Sequence, residues 1–473
     1  MHIKAILRLI TIMFLFHATC YSQVRLTLQQ AIDSTLNRNL QIKRAKLNVD
    51  LTEQNLIQSK NNRLPNLTTS PQASVNWGRT LDVSTYNYIT QRVFLVSGSV
   101  GTQITLFQGG QLRNQIVQNK LLLEADQSNV SRVRNDLVLA TATAFLQVLT
   151  SQDLLVAAQQ QIQLAKLNVE KVQKGVNAGN KSIADLAQAQ ALQANTELDE
   201  ATILNQLEVS WLNIKQLMEM SNIQIALLKP DISKISDIQN IIDTTGLLVQ
   251  AISENPDIKF ANLQRDAAYQ GIKVAKSILY PNLSLFASAG SNFSDARSLL
   301  AGTQQVGFDT VGTVGGTAQP VISPVFRSTT KNYTFIRQFT DNFYQSAGMT
   351  LQIPIFNRFI ARTNIRKAKI SYQISQVNAQ IAVSDFTKVI RQALSDIKTA
   401  EKRLLASQSN LNATKRLLNV SEKRYQAGFL NSIDYNTALT NFNKVEFELI
   451  QARYDVLFKH QVIKYYLGQS LNL

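Results

Sequence analysis

The chain has 473 residues, of which 45% are hydrophobic and 17% are charged. This composition is typical of a folded protein and excludes a largely disordered chain. The formal net charge is +16, but the basic residues are scattered along helical stretches and are not clustered with aromatic side chains, which disfavours a nucleic-acid-binding protein.

The first residues, MHIKAILRLITIMFLFHATCYSQ, combine two basic side chains with a short apolar run and then small residues. They predict a secretory signal peptide over residues 1–22, because the apolar run is too short to span a bilayer as a helix. An uncleaved membrane anchor and a lipidated Cys20 are the alternatives. Cleavage after Ser22 leaves a mature chain without cysteine and with His460 as its single histidine. We therefore expect no catalytic residue, no metal site and no cofactor.

The tripeptide Pro-Asn-Leu occurs at Pro65 and again at Pro281, each time where a charged helical pattern gives way to an alternating one. Eleven identities connect the two segments at a constant offset of 216 residues, and later identities share an offset of 249. The chain is therefore an internal duplication, with 33 additional residues in its second half. The Gly-, Thr- and Ser-rich segment 295–332 predicts a long exposed loop that holds them. Proline disfavours helix at the residue before it, so both tripeptides predict helix-to-strand transitions.

Four segments alternate apolar and polar side chains, beginning near Leu67, Val100, Leu283 and Phe343. Such alternation over about ten residues is typical of a transmembrane barrel strand. After the signal peptide no segment has 18 consecutive apolar residues, so the sequence predicts no transmembrane helix. Four strands leave open edges that lipid does not tolerate, so several chains must share one barrel. Three chains would give twelve strands, but composition does not choose three over two or four.

Three long segments, 111–174, 357–427 and 429–467, contain neither glycine nor proline. A helix of 64 residues extends roughly 95 Å, which requires a bundle or coiled-coil context. Apolar residues recur every seven positions from Ile116 to Val172, interrupted by Ser151, and the second half repeats this register. The pattern predicts coiled-coil-like helical hairpins.

Several motifs together resemble the TolC-like outer membrane efflux protein family. They are LTLQQAIDSTLNRNLQIKRAKL, AISENPDIKFANLQ, the two Pro-Asn-Leu transitions, TLFQGGQLR with IPIFNRFIAR, and VNAGNKSIADLAQAQA with YQAGFLNSIDYNTAL. The resemblance implies a mixed α and β fold that is mainly α. Long coiled-coil-like hairpins form a periplasmic α-barrel continuous with a transmembrane β-barrel of four strands per protomer. It further implies a homotrimer in the outer membrane of a Gram-negative bacterium, contacting outer membrane lipid. The partners would be a periplasmic adaptor protein and an inner-membrane transporter, with no nucleic acid, and the function that of a passive exit duct for efflux or type I secretion.

The expected organisation follows the duplication. Its segments are the signal peptide (1–22), periplasmic helices of the first repeat (23–66), the first barrel hairpin (67–110), the first long helical hairpin (111–225), an equatorial segment with helices of the second repeat (226–282), the second barrel hairpin with a long extracellular loop (283–356), and the second long helical hairpin with the C-terminal tail (357–473).

The two glycine-containing turns carry the expected functional residues. Glycine tolerates positive φ and so ends a helix, and Ser, Thr or Asn can cap the helix that follows. In the resembled family these turns form the periplasmic tip, which contacts the adaptor and closes the resting channel. The adaptor-contact residues carried over are Gly179, Asn180, Lys181, Ser182, Ile183, Gly428, Phe429, Leu430, Asn431 and Ser432.

Asp185 and Asp434 are the expected gate residues, since three copies of an inward carboxylate would form a ring that favours cations. The alternative is that each aspartate only complements the helix dipole, typically about 0.3–1 kcal/mol. Thr437 stands where a second carboxylate would fall, and Leu430 where a basic latch residue can occur. We therefore predict a weak electrostatic gate and hypothesise a hydrophobic tip that involves Phe429.

Two other classes of function are weighed against the conduit. A structural or adhesive helical stalk would need neither a barrel nor paired turns. An enzyme is disfavoured because the mature chain offers no catalytic constellation. The sequence does not name a cargo.

Overall fold

The computed structural model describes residues 24–82, 87–221, 223–229 and 251–466. The predicted signal peptide with Cys20, and residues 230–250 of the equatorial segment, lie outside the described residues. The chain divides into two compact units. Unit 1 comprises Met1–Glu53, Leu121–Asp266 and Gln373–Leu473, and unit 2 comprises Gln54–Lys120 and Ala267–Tyr372.

Helices dominate the described residues. In chain order they are α1 (Leu28–Arg38), α2 (Leu40–Asn61), α3 (Gln111–Asn177), α4 (Ile183–Leu217), α5 (Pro256–Lys276), α6 (Phe335–Asp341), α7 (Ile360–Gln426) and α8 (Ser432–Tyr466). The strands are β1 (Val24–Leu26), β2 (Asn66–Thr69), β3 (Gln72–Asp82), β4 (Asn87–Gln108), β5 (Ile225–Leu227), β6 (Asn282–Ser294), β7 (Ser298–Thr313), β8 (Pro320–Asn332) and β9 (Tyr344–Gln352). Both α3 and α7 have 67 residues, as the absence of glycine and proline over most of their length predicts.

The core of unit 1 forms where α1 packs against the middle of α3, the end of α4 and the parallel pair β1–β5. Phe145, Leu149, Ile214 and Met218 are among its fully buried side chains. A capping box fixes the start of α1, because the Thr27 side chain accepts from the backbone of N3 and Gln30 reaches back to the N-cap. Tyr454 and Leu457 on α8 also belong to this core, which therefore joins segments from both halves of the sequence.

The predicted heptad seam of α3 is largely buried from Leu137 to Val172, within unit 1. Leu137, Ala158, Ala165 and Val172 are buried, and Ser151, which interrupts the apolar repeat, is fully buried as well. In the second half the buried seam residues include Phe386 and Ala393 on α7, and Val445, Leu449 and Ala452 on α8. A window of α3 is long and apolar enough to cross a membrane, but 61% of that window is buried within the chain, as expected for a packed helix.

Unit 2 contains an antiparallel sheet in the order β2-β4-β6-β9, with β3 also paired to β4. β2 and β3 pair with successive parts of β4 and flank Pro71, so the sheet is four positions wide. Pairs such as Val100↔Ala289 and Ile104↔Leu285 place apolar side chains on one face. Pairs such as Gly101↔Ser288 place small and polar side chains on the other. The predicted four strands per chain are therefore present.

The composition of the second-half insertion predicts a long exposed loop; the insertion is exposed, but most of it is a paired hairpin. β7 and β8 form an exposed two-stranded antiparallel sheet over most of residues 295–332. The β-branched residues within the segment favour extended backbone. Its register shifts occur next to Gly302, Gly307 and Gly312, so these glycines mark irregularities within a hairpin.

The two Pro-Asn-Leu transitions lie between helix and strand. α2 ends at Asn61 and β2 begins directly after Pro65. α5 ends at Lys276 and, after one 3-10 turn, β6 begins directly after Pro281. The connections from strand to long helix also correspond in the two halves. Gly109 and Gly110 before α3 have positive φ, and so do Arg358 and Phe359 before α7.

Candidate functional site

The two turns end their long helices with the same backbone motif. In turn 1, residues 178–182 between α3 and α4, the Gly179 N–H donates to the Val176 carbonyl (3.0 Å) and the Asn180 N–H donates to the Gly175 carbonyl (2.8 Å). This pair of bonds is a Schellman motif, which requires a left-handed residue. Gly179 supplies it with a φ of 79°.

Turn 2, residues 427–431 between α7 and α8, repeats the motif. The Gly428 N–H donates to the Tyr425 carbonyl (3.2 Å) and the Phe429 N–H donates to the Arg424 carbonyl (2.8 Å). Gly428 has a φ of 80°. The glycines single out the two turns in the sequence because few other residues adopt this conformation without strain.

The helices that leave the turns are capped differently. Ser182 and Asp185 form a capping box, in which the Asp185 carboxylate accepts from the Ser182 N–H (3.0 Å) and hydroxyl (2.8 Å). At turn 2 the Asn431 side chain accepts from the Asp434 N–H (2.8 Å). The Thr437 hydroxyl donates to the Ile433 carbonyl one turn earlier in its own helix. Asp185 is half-buried and serves as a cap, whereas Asp434 is exposed.

A polar contact links the two turns. The buried Ser432 hydroxyl donates to the Gln188 side-chain oxygen on α4 (2.9 Å), and it also lies within hydrogen-bonding reach of Asp185. The hydrogen bond with Ser432 is the largest cause that lowers the pKa of Asp185, followed by bonds from the Ser182 backbone and side chain. The capping box and the neighbouring Ser432 hydroxyl thus both favour the charged form of Asp185, although the one hydroxyl hydrogen of Ser432 is directed at Gln188 in this structure.

An aromatic contact links the same turns. The Lys181 ammonium lies 3.8 Å from the centroid of the Tyr425 ring, and Tyr425 stacks on Tyr435 with centroids 4.9 Å apart and planes 3° apart. Tyr425 is only 7% exposed. Burial raises the pKa of Tyr435, so its phenol stays neutral. Gly175 leaves room for Lys181, because a Cβ there would lie 2.7 Å from the Lys181 Cγ.

Apolar side chains around the turns face solvent. Ile183 and Phe429 are each 77% exposed and Ile433 is 60% exposed. Leu430 is half-buried, and Asn180 and Asn431 are exposed. Isolated exposed apolar side chains are ordinary on a protein surface, and here three of them lie at or directly after the two turns.

Sequence reasoning did not identify Gln188, Gly175, Tyr425 or Tyr435 as members of this site. One signal was available. Tyr425 stands three residues before Gly428, where the first half has Val176 before Gly179. A buried aromatic in one copy and an aliphatic residue in the other marks a position where the copies have diverged.

His460, the histidine expected in the mature chain, is buried, and its Nε2 lies 2.9 Å from the Glu401 carboxylate. It is a packed side chain on α8. Within the described ranges, no group of three or more His, Cys, Asp and Glu residues could hold a metal ion.

Comparison with known proteins identifies the family. A model of the outer membrane efflux protein family matches residues 31–218 and 247–469. The chain therefore belongs to the outer membrane efflux protein family, and its location is the outer membrane.

Curated relatives are distant. Outer membrane protein TolC of Escherichia coli (strain K12) is 23% identical over 334 residues, which cover 70% of this chain and 61% of TolC, less than two thirds of that relative. The outer membrane efflux protein BepC of Brucella suis biovar 1 (strain 1330) is 20% identical over 437 residues, covering 91% of this chain and 83% of BepC.

The fold is that of a solved transmembrane channel. The CusC structure matches with a TM-score of 0.74 at 17% identity, over 94% of this chain and 92% of CusC. The mixed, mainly helical fold class is thereby confirmed. Family and fold together disfavour the stalk alternative.

Proposed function

We propose that this protein is the passive exit duct of an export system, and that it works as a homotrimer. It spans the outer membrane and extends into the periplasm. There it docks to an adaptor protein, which couples it to an inner-membrane pump or secretion transporter. Its role is conduction and not chemical conversion, which agrees with the channel and transport character of the family.

The observation that carries this proposal is the sheet of unit 2. It is four positions wide, one face is apolar, and in the part of the chain that the structure describes its outermost strands pair on one side only. Lipid does not tolerate such edges, because unpaired backbone groups cannot bond to water there. Three copies joined edge to edge give twelve strands, with the small and polar face lining the lumen.

The two turns form the proposed gate and docking tip. The Ser432–Gln188 bond and the Lys181–Tyr425–Tyr435 stack tie the two hairpins of one protomer together. Separating the hairpins would break both contacts at once, so they favour one closed arrangement. The exposed Ile183, Phe429 and Ile433 would meet the adaptor. The exposed Asp434 is available for a carboxylate ring in the trimer, whereas Asp185 is engaged as a cap.

The test is electrical. Purified full-length protein, shown to be a trimer by heat-modifiable migration in detergent gels, is reconstituted into planar bilayers. We expect discrete single-channel steps with cation preference. A trimer that inserts into the bilayer and passes no current, even after Tyr425→Ala removes the stack between the turns, would refute the duct, whereas a monomer that never inserts would refute the assembly.

Asp434→Ala refines the gate. Loss of one carboxylate per protomer should reduce cation preference and block by divalent cations, since three copies leave the tip together. The matched control is Asp309→Ala, which removes an exposed aspartate from the β7–β8 hairpin. Unchanged selectivity in Asp434→Ala would remove Asp434 from the gate.

A further inference from the structure

The short helix α6 lies on the apolar face of the sheet, near the C-terminal end of β6. A Cβ at Gly98 would come within 3.9 Å of the Phe339 ring, and Gly98 pairs with Ser291. Alternate pairs of an antiparallel ladder share a face, so this pair faces the same side as Val100↔Ala289. α6 therefore rests on the lipid side of the proposed barrel.

Polar side chains fix α6 to the strand beneath it. Gln338 is fully buried; its amide nitrogen donates to the Ser294 carbonyl (2.9 Å) and the Tyr333 carbonyl (2.8 Å), and its oxygen accepts from the Ser294 N–H (3.0 Å). Asn342 donates to the Asn292 carbonyl (2.7 Å). The pairing of β6 with β9 ends at Gly290↔Tyr344. α6 thus satisfies backbone groups of β6 beyond the end of that pairing.

One flank of α6 is apolar, with Phe335 and Phe339 packed in part on the sheet and Ile336 turned away from it. Phe335, Ile336 and Phe339 are 47%, 78% and 38% exposed, and their spacing places them on one arc of the helix. The Phe335 ring contacts Phe293 (5.0 Å between centroids) and Phe339 (5.5 Å). Arg337 and Asp341, paired at 3.6 Å, lie on the other side of the helix. This division is that of an amphipathic surface helix.

The height of this cluster matches a membrane boundary. The apolar face runs along β6 from Leu283 to Phe293, and ten residues of a tilted strand rise roughly 23 Å, close to the apolar band of about 25 Å in outer membrane barrels. Trp77, 76% exposed, pairs with Arg92 on the same face beside this cluster. Tryptophan and phenylalanine concentrated at one end of the apolar band are typical of the interface between acyl chains and headgroups.

We propose that α6 is an interfacial helix that inserts Ile336, together with the exposed edges of the Phe335 and Phe339 rings, into the lipid leaflet at the barrel rim. This inference rests on the proposed function, because it assumes that the apolar face of the sheet contacts lipid. Docking on an amphipathic helix would fix the depth of the barrel in the membrane. Beyond Gly290 the edge of β6 is occupied by the side chains of Gln338 and Asn342, so a strand from another copy would join the sheet elsewhere.

The experiment uses cysteine labelling, since Cys20 in the predicted signal peptide is the one cysteine of the sequence. Ile336→Cys is labelled with an environment-sensitive fluorophore in the full-length trimer and reconstituted into vesicles. Half of the vesicles contain phospholipid with a nitroxide near the headgroup. Ile183→Cys, at 77% exposure, is a matched control outside the strands, and Met349→Cys, at 69% exposure on β9, reports the lipid-facing sheet. Unsubstituted protein treated identically is the blank.

We expect the nitroxide to quench the Ile336 label by about twofold, as for a side chain at the acyl boundary. The Met349 label should also be quenched and the Ile183 label should not. An unquenched Ile336 label beside a quenched Met349 label would overturn the interfacial helix and leave the barrel standing. If neither label were quenched, the proposal that the sheet is embedded in the membrane would be wrong, and so would the inference that rests on it. Equal quenching of Ile183 would overturn the inference as well, because the signal would not report lipid contact.

Discussion

The two halves of the chain share their backbone at matched joints but differ in the side chains placed there. At the first strand-to-helix joint Gly109 and Gly110 have φ values of 57° and 74°, and at the second Arg358 and Phe359 have 53° and 58°. A Cβ at Gly109 would lie 2.6 Å from the Ser277 carbonyl oxygen. Arg358 is exposed. Glycine is therefore required at Gly109, where the neighbouring backbone leaves no room for a Cβ. In the second half Arg358 and Phe359 adopt the same left-handed backbone with side chains present, at a cost in strain.

The two turns show the same relation. Both use a Schellman glycine, but turn 1 and α4 supply a cation, a carboxylate and an amide, whereas turn 2 and its helices supply a hydroxyl and two stacked tyrosines. Identical turns could not complement each other in this way. After the duplication, the side chains at the two turns diverged, and the diverged side chains now contact one another.

Gly109→Ala should have the largest effect, because it combines a left-handed non-glycine residue with a clash against backbone. The cost is about 3 kcal/mol when strain and overpacking are added. We expect a marked fall in the temperature at which the trimer dissociates in detergent gels. Gly307→Ala is the control in the same unit, since a Cβ there meets nothing within 4 Å. Equal behaviour of the two variants would show that the first joint does not need glycine.

Tyr425→Ala should come next. It removes a buried ring that contacts both Lys181 and Tyr435, with aromatic and cation–π contributions of about 1 kcal/mol each. We expect a several-fold rise in channel open time and faster proteolysis after Lys181. Tyr425→Phe retains the ring and should resemble the unsubstituted protein. If the alanine variant stays as closed and protease-resistant as the phenylalanine variant, the stack does not hold the turns.

Much of this architecture could be predicted from sequence, because its signals are local and repeated. The long helices follow from the absence of glycine and proline, the turns from Gly179 and Gly428, and the strands from alternation. Family membership follows from the order of motifs that are weak individually. These features need no knowledge of which residues meet in space.

The contacts across the turns could not be predicted in that way. Gln188 meets Ser432 across 244 positions of sequence, and neither residue type marks a site by itself. The β7–β8 hairpin was missed for a different reason. Glycine, serine and threonine predict a loop by composition, yet here the glycines mark irregularities within a paired ladder.

Ser432→Ala should have a smaller effect that depends on pH. The Ser432 hydrogen bond is the main cause of the lowered pKa of Asp185. A carboxyl group whose pKa is lowered by folding stabilises the folded state at pH values above its ordinary pKa of 3.8. This stabilisation is lost as the pH falls through the lowered pKa of the folded state. We expect acid-induced opening of the channel at higher pH in Ser432→Ala than in the unsubstituted protein. Ser421→Ala, at a buried serine of α7, is the control, and equal midpoints in all three proteins would contradict the link.

Arg358→Gly should have the smallest effect and the opposite sign. Glycine relieves about 1–2 kcal/mol of left-handed strain but loses about 0.5–1 kcal/mol through greater freedom of the unfolded chain. The net gain is therefore about 0–1.5 kcal/mol, visible as a small rise in the dissociation temperature of the trimer. Arg366→Gly, inside α7, is the control for the effect of glycine on the unfolded chain. It should destabilise the protein, because residue 366 is helical and glycine relieves no strain there. A fall for Arg358→Gly as large as that for Arg366→Gly would mean that the arginine side chain contributes more at this joint than its backbone strain costs. The second joint would then be a site of selected contacts and not merely a tolerant copy of the first.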